Sequence, residues 1–309
     1  MNSPLFYSKI LLFGEYGIIK NSKGLSIPYN FFKGGLKLGD LSNELIKESN
    51  EVLNGFADFL SKIKGSLVEF ENKKIKEDLG KGMYFDSTIP RGYGVGSSGA
   101  IVAAFYDRYA LNKITVLENL TKVKLLTLKK IFSEMEAYFH GTSSGLDPLN
   151  SYLSLPILIQ SKNNVETTGI PSQIKKGKGA VFLIDSGESS QTAPMIEIFL
   201  NSMKNKKFNK IMREDFIKIT DSCVENFLDA NFKSLLLDIK KLSSVVFKYF
   251  KPMIPSQFHE IWKKGIESND YFLKLCGSGG GGYILGFTRD IEKTKSVLKD
   301  YKLEVVYNF

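Results

Sequence analysis

The sequence predicts an α+β fold in two domains, and three observations support this prediction. The chain has 309 residues, about the length of two ordinary domains. Hydrophobic residues make up 43% of it and charged residues 24%, as in folded globular proteins, which argues against disorder, collagen and coiled coil. Strand-like runs of β-branched and aromatic residues alternate irregularly with amphipathic helical patterns, whereas a regular α/β protein alternates strand and helix strictly.

The first half of the chain is predicted to combine strands with long helices. Strand-forming residues between glycine or proline breaks predict strands over residues 6–13, 25–32 and 84–89. Apolar residues at helical spacing predict helices over residues 42–63, 100–111 and 115–140, and a short helix from Leu146 onwards. Ser42 is expected to cap the first of these helices.

The second half is predicted to be a further set of strands and helices. Strands are expected over residues 155–160, 180–184, 271–275, 283–287 and 303–307. Three or four amphipathic helices are predicted between residues 190 and 268, and one more over residues 290–300. The polar, lysine-rich segment 161–179 contains Pro171 and three glycines, so we expect the linker between the domains there.

The charge of the chain does not by itself indicate a nucleic-acid partner. The net charge is +9, but only four of the 42 basic residues are arginines, and the lysines are scattered. Sequence-specific nucleic-acid readers rely on arginine for bidentate base contacts and on aromatic residues for stacking. We therefore interpret most of the charge as a solvated lysine surface and expect no nucleic acid.

The sequence also predicts no membrane span and no disulfide framework. The longest stretch without charge, residues 92–106, has fifteen residues, while a membrane helix needs about 20. Glu15 interrupts the apolar run near the N-terminus, so we do not expect a secretory signal. We therefore expect a cytoplasmic location. Cys223 and Cys276 lie 53 positions apart without metal-ligand spacing and are expected to be reduced thiols.

The most informative segment is Pro90-Arg-Gly-Tyr-Gly-Val-Gly-Ser-Ser-Gly-Ala. Its glycines allow a tight turn with inward N–H groups, and the helix that follows adds the positive end of its dipole, so the segment is typical of an anion-binding loop. A plain glycine-rich turn is the alternative. The chain has no Gly-Lys-Ser/Thr, which excludes a Walker A motif, and the glycine spacing does not fit a dinucleotide fingerprint.

Two further segments point to a ligand site. Residues 277–282 contain five glycines, which indicates close packing against a ligand-bearing loop, although a flexible turn is the alternative. Glu136 and Asp147 flank a turn of small residues and could bring two carboxylates to one pocket, one to hold Mg²⁺ and one near a reacting hydroxyl. Glu134 is a rival for Glu136, and acidic residues on helices are usually only solvated.

Taken in order, these segments resemble the motifs of the GHMP kinase family. Residues 90–100 are similar to the family's Pro-x-x-x-Gly-Leu-Gly-Ser-Ser-Ala loop, and residues 277–282 to its Gly-Ala-Gly-Gly-Gly-Gly motif. Residues 9–15 and 136–147 resemble the corresponding segments of the members that phosphorylate mevalonate. The chain departs from the family pattern where Tyr16 replaces histidine, Gly99 and Ser278 replace alanine, and Thr142-Ser143 replaces Asn-Pro.

The resemblance implies an ATP- and Mg²⁺-dependent kinase for the hydroxyl of a small-molecule alcohol. Asp147 and Lys9 match the family's catalytic pair, and Ser98 and Glu136 match its metal ligands. The residues implied to bind ATP are Gly92, Gly94, Gly96, Ser97, Ser98 and Gly99. The residues implied to contact the acceptor are Lys9, Glu15, Tyr16, Phe139, Asp147, Thr192 and Ser278.

The resemblance also implies an architecture and partners. A ribosomal protein S5 domain 2-like N-terminal domain is expected over residues 1–172 and a ferredoxin-like C-terminal domain over residues 173–309, with the site in the cleft between them. Mevalonate is the implied acceptor, with phosphomevalonate or homoserine as alternatives. A non-catalytic ligand- or RNA-binding protein on the same fold is the alternative of another class. The implied partners are the alcohol and ATP. No association with a membrane is expected, and a homodimer is possible under this resemblance.

Overall fold

The computed structural model describes residues 4–63, 67–115, 120–161 and 163–309. The chain divides into two compact units. The first takes in the chain up to Lys9 together with Ile27–Pro90 and Gly96–Leu155, and the second comprises Ile10–Ser26, Arg91–Val95 and Pro156–Phe309. Each unit combines helices with antiparallel strands, so the predicted α+β class is confirmed. The domain boundary expected between residues 172 and 173 stays a prediction.

Within the described residues, the first unit combines five helices with strands of one sheet. Two strands run through both units, β1 (Phe6–Phe13) and β2 (Gly24–Leu38). Strand β3 (Met83–Ser87) pairs with β2 so that Phe85 faces Leu36. The helices are α1 (Glu44–Lys62), α2 (Asn72–Gly80), α3 (Ser97–Tyr109), α4 (Lys122–His140) and α5 (Leu146–Leu153).

Helix caps explain where two of these helices begin. The Asn43 side chain accepts hydrogen bonds from the N–H groups of Leu45 and Ile46, so α1 is capped by Asn43 and the predicted cap, Ser42, is wrong by one residue. Thr121 caps α4 by accepting from the N–H of Lys124. The helix predicted from residue 115 therefore begins at residue 122, and residues 116–119 lie outside the described residues.

The second unit is built on a four-stranded antiparallel sheet in the order β7-β8-β6-β9. These strands are β6 (Ala180–Asp185), β7 (Tyr271–Leu275), β8 (Tyr283–Thr288) and β9 (Leu303–Asn308). Six helices accompany the sheet: α6 (Thr192–Ser202), α7 (Lys206–Ile211), α8 (Ile217–Leu228), α9 (Phe232–Tyr249), α10 (His259–Ser268) and α11 (Ile291–Val297). The π-helix Met212–Phe216 joins α7 and α8 into one continuous helix, so four helices lie between residues 190 and 268, within the three or four predicted.

The predicted linker, residues 161–179, is partly a strand. In the second unit, β4 (Ile157–Ser161) pairs with the first residues of β2, and β5 (Asn164–Thr167) pairs with β4. Val165 of β5 is fully buried opposite Ile159. A single apolar side chain in a polar segment is too weak a pattern to predict a strand, so the prediction of a linker across this whole segment is wrong.

Two other expectations can be compared with the structure. Cys223 and Cys276 are both buried and unbridged, as predicted. Within the described ranges, no helix has the length and apolar character needed to cross a membrane.

Candidate active site

Lys9 and Asp147 form an ion pair in the first unit. The Lys9 Nζ lies 3.0 Å from the Asp147 Oδ1. Lys9 is on β1 and is only 4% exposed, whereas the Asp147 side chain is 37% exposed. Asp147 is in the first turn of α5, where the helix dipole favours a negative charge. The pair therefore keeps a carboxylate open to solvent beside a buried ammonium.

Ser98, Glu136, His140 and Ser143 form a second polar cluster in the same unit. The Ser98 hydroxyl donates to the Glu136 Oε1 at 3.0 Å, and its oxygen lies 3.0 Å from the His140 Nε2. The Ser143 hydroxyl donates to the other carboxylate oxygen of Glu136. Glu136 and His140 are four residues apart on α4 and therefore share one helix face. The cluster thus gathers oxygen ligands around one buried carboxyl group.

Burial controls the titration of this cluster. Desolvation raises the pKa of Glu136 to about 8, and the negative charge of Asp147 adds to the effect. Hydrogen bonds from Ser143 and Ser98 and the charge of Lys9 act in the opposite direction. Desolvation lowers the pKa of His140, and the charge of Asp147 only partly offsets this. Without a bound cation, Glu136 therefore favours its protonated form at neutral pH.

Glu136 is expected to make the stability of the metal-free protein depend on pH. Because its pKa is raised from 4.5 to about 8, the folded protein keeps a proton that the unfolded chain releases. The contribution of Glu136 to stability is therefore largest at low pH and is lost as pH rises through this window, by roughly 4–5 kcal/mol. Urea unfolding in EDTA between pH 5 and pH 8.5 measures this, with Glu136→Gln as the reference. Parallel curves for the two proteins would contradict the assignment.

The start of α3 lies directly against the Lys9–Asp147 pair. The helix begins at Ser97, three residues earlier than predicted, after Gly96 with φ +82°. A Cβ on Gly96 would lie 3.1 Å from the Lys9 Cγ and 3.7 Å from the Asp147 Oδ2. A Cβ on Gly99 would lie 2.7 Å from the backbone carbon of Asp147, so α3 and α5 approach too closely for alanine. The first-turn N–H groups of α3 lack intrahelical partners and favour an anion.

In the second unit, Glu15 and Tyr16 follow β1 and are both buried. Lys274 donates to the Glu15 carboxylate and, at 2.8 Å, to the carbonyl oxygen of Leu275. The Tyr16 hydroxyl donates to the carbonyl oxygen of Ser278 at 2.6 Å. The Tyr16 backbone has φ +59°, a left-handed conformation that a tyrosine adopts only under constraint. Both side chains are therefore held by the protein itself.

The cavity beside these residues is too small for an acceptor molecule. Glu15, Tyr16 and Lys274 line a space of about 10 Å³ that has room for about one water molecule. The Tyr16 ring packs against Phe199 and Phe250, with ring centres 4.7 and 5.7 Å away. Burial is also the main cause that raises the pKa of the Tyr16 hydroxyl. Within the second unit, Tyr16 thus belongs to an aromatic core.

Two glycine-rich segments pack against each other in the second unit. We call residues 91–95 the first glycine loop and residues 277–282 the second glycine loop. A Cβ on Gly94, where φ is +75°, would lie 2.6 Å from the carbonyl oxygen of Cys276. A Cβ on Gly282, where φ is +70°, would lie 2.5 Å from the Tyr93 Cα. The close packing predicted from the five glycines is confirmed.

The structure distributes the sequence-predicted residues over both units. The first unit holds Lys9, Gly96, Ser97, Ser98, Gly99, Glu136, Phe139 and Asp147, and the second holds Glu15, Tyr16, Gly92, Gly94, Thr192 and Ser278. Phe139 packs on Phe56 of α1 with ring centres 5.3 Å apart. Thr192 is exposed at the first residue of α6. Their predicted contacts with an acceptor stay predictions.

Sequence reasoning missed three residues that organise these clusters. Ser143 donates to Glu136, Lys274 pairs with Glu15, and Ser190 bonds to both glycine loops. Lys274 stands three residues before the second glycine loop, so its place beside a motif could have marked it as a candidate site residue. Ser143 and Ser190 belong to ordinary polar loops, where no local pattern distinguishes them.

Comparison with known proteins identifies a domain in the first half of the chain. Residues 61–154 match the model of the GHMP kinases N-terminal domain. This segment includes the start of α3, Ser98, Glu136 and Asp147. A comparison with curated protein sequences finds no match.

Solved structures of several kinases have a similar fold. The L. major mevalonate kinase in complex with R-mevalonate is 16% identical, with a TM-score of 0.64 over 97% of this chain and 90% of that one. The Methanococcus jannaschii mevalonate kinase is 18% identical, with a TM-score of 0.59 over 99% and 98%. The Streptococcus pneumoniae phosphomevalonate kinase in complex with phosphomevalonate and AMPPNP is 14% identical, with a TM-score of 0.62 over 99% of both chains. Residues 61–154 therefore match the GHMP kinase N-terminal domain, and the chain as a whole has the GHMP kinase fold.

Proposed function

We propose that the protein is an ATP-dependent kinase that phosphorylates the hydroxyl group of a small molecule. The observation that supports this best is the contact between the start of α3 and the Lys9–Asp147 pair. Gly96 leads into α3, and the position of its missing Cβ lies 3.1 Å from Lys9 and 3.7 Å from Asp147. An anion-binding helix start and a proton-accepting carboxylate are thereby adjacent, as a phosphoryl transfer to an alcohol requires.

The Lys9–Asp147 pair has the chemistry needed to activate an alcohol. The alcohol oxygen forms a bond to the γ-phosphorus of ATP, the bond from that phosphorus to the bridging oxygen breaks, and ADP leaves. The solvent-facing carboxylate of Asp147 accepts the hydroxyl proton. The buried ammonium of Lys9, 3.0 Å from the Asp147 Oδ1, stabilises the negative charge that develops on the alcohol oxygen.

Ser98 and Glu136 fit a magnesium ion that binds together with ATP. Both offer oxygen ligands, and their oxygens already lie 3.0 Å apart. Magnesium is usually held by one or two protein carboxylates, with phosphate oxygens and water completing its shell. When bound, Mg²⁺ neutralises phosphate charge, and a cation also offsets the cost of ionising the buried Glu136.

Mevalonate is the acceptor that we propose. Residues 9–15 and 136–147 carry the motifs that favour it, and the L. major and M. jannaschii mevalonate kinases share the fold. Phosphomevalonate is the alternative, since the S. pneumoniae phosphomevalonate kinase is about as similar. The phosphate that phosphomevalonate carries and mevalonate lacks calls for an additional cation, and the exposed Arg91 is the candidate on the first glycine loop. Homoserine is a further alternative.

An ADP-release assay with four acceptors tests the proposed function. Mevalonate, phosphomevalonate, homoserine and galactose are each supplied with ATP and Mg²⁺, and turnover is expected to be highest with mevalonate. Turnover with another acceptor would show that the proposed substrate is wrong and that the proposed kinase activity is right. No turnover with any acceptor, combined with salt-dependent RNA binding, would favour the non-catalytic alternative.

A homodimer and a cytoplasmic location also stay predictions.

A further inference from the structure

A third loop in the second unit contacts both glycine loops. This loop, which we call the serine loop, comprises residues 186–191 between β6 and α6. The Ser190 N–H donates to the carbonyl oxygen of Gly92 at 2.9 Å. The Ser190 hydroxyl donates to the carbonyl oxygen of Gly279 at 2.7 Å. One residue therefore holds the first glycine loop through its backbone and the second through its side chain.

We propose that Ser190 is a positioning residue that holds the second glycine loop against the first and so fixes the first glycine loop in the geometry needed to bind the phosphates of ATP. This inference rests on the proposed kinase function and extends it to a residue outside every motif. Ser190 acts through the two loops, so no contact between its side chain and ATP is required.

Glycine loops need such an external constraint. Gly92 and Gly279 both have φ +76°, one of several conformations that a free glycine visits with similar ease. Without a constraint, ATP binding would have to order both loops, and that ordering lowers affinity. A hydrogen bond to each carbonyl selects one conformation before the ligand arrives.

The serine loop is itself held firmly, so it can act as a template. The Ser186 N–H donates to the carbonyl oxygen of Gly282 at 3.0 Å, and the Gly282 N–H donates back to the carbonyl oxygen of Glu188 at 2.6 Å. The Gln257 side chain donates to the Ser186 carbonyl oxygen at 2.8 Å. These bonds hold the first residues of the serine loop, Ser186 and Glu188, in place.

Packing leaves the Ser190 hydroxyl little freedom to move. A Cβ added to Gly280 would lie 2.8 Å from the Ser190 Oγ and 2.7 Å from the Met195 Sδ. The hydroxyl therefore sits in a close-packed pocket formed by the second glycine loop and α6. Removing it deletes the bond to Gly279 and leaves a small gap without introducing a clash.

The variant Ser190→Ala tests this role by ATP affinity and by loop protection. The dissociation constant and KM for ATP are expected to rise about fivefold, the worth of one hydrogen bond, while kcat stays within about twofold. Amide hydrogen exchange in a peptide covering residues 277–282 is expected to accelerate by a similar factor. A role in global folding alone would lower the melting temperature and leave the ATP affinity of the folded protein unchanged.

Two variants complete the test. Ser189→Ala makes the same chemical change at an exposed neighbour in the serine loop and is expected to leave affinity and exchange unchanged. Ser190→Thr keeps the hydroxyl and is expected to restore most of the affinity. If the wild-type protein binds ATP and Ser190→Ala binds it equally well, the positioning role is wrong and the kinase proposal stands. If the wild-type protein does not bind ATP, both are wrong, and the exchange data still report whether the hydroxyl couples the loops.

Discussion

Asp147→Asn is expected to lower kcat by about 10²- to 10⁴-fold, the usual contribution of a general base, while ATP still binds. An asparagine side chain has nearly the same shape as aspartate but cannot accept the proton of the alcohol. Its amide oxygen can still accept a hydrogen bond from Lys9, so the buried ammonium keeps a partner. Steady-state kinetics and ATP-binding calorimetry on the same preparation measure the two effects separately.

Asp107→Asn is the matched control for this variant. Asp107 lies in the same unit and pairs with Lys113 at 3.1 Å, so the chemical change is identical at a partly buried lysine–aspartate pair. Its kcat is expected to equal that of the wild type. A value of kcat for Asp147→Asn close to that of the control would remove Asp147 from the proposed chemistry.

Lys274→Met is expected to destabilise the protein by about 3–5 kcal/mol, because it leaves the Glu15 carboxylate buried without its ammonium partner. The two side chains are only 3% and 6% exposed. The double variant Glu15→Gln/Lys274→Met removes both charges, and part of the lost stability should return. Urea unfolding of the wild type, both single variants and the double variant completes a double-mutant cycle. The cycle gives the interaction energy between Glu15 and Lys274.

An exposed lysine in the same unit supplies the comparison. Lys295 lies 2.8 Å from Glu292 on α11, and both side chains are largely in solvent. Lys295→Met is expected to cost less than about 0.5 kcal/mol. If Lys274→Met costs no more than this, the Glu15–Lys274 pair does not stabilise the second unit.

The residues that we propose to carry out the reaction could be singled out in the sequence because they belong to local motifs. Lys9, Ser98, Glu136 and Asp147 each stand in a short segment with a distinctive order of residue types. The structure brings them into two adjacent clusters of the first unit. The fold class was predictable for a similar reason, since most strands and helices have a clear period of two or 3.6 residues.

Other parts of the site could not be predicted, because they depend on contacts between distant segments. Glu15 and Lys274 are 259 positions apart, and a lysine or glutamate alone does not indicate its partner. Ser190 bonds to Gly92 and Gly279 through groups that every serine has. Gly99 is a further case, because the backbone approach of α5 that requires a glycine there depends on tertiary packing.

The bond between Tyr16 and Ser278 has a consequence for how this sequence can drift over evolutionary time. The hydroxyl of Tyr16 is held by a main-chain carbonyl oxygen, which any residue at position 278 would provide. The bond itself therefore places no demand on the side chain at position 278, while it requires the Tyr16 hydroxyl, whose ring also packs against Phe199. Replacing Ser278 by the alanine of the family pattern would therefore keep this bond, whereas replacing Tyr16 by the histidine of that pattern would remove its hydroxyl.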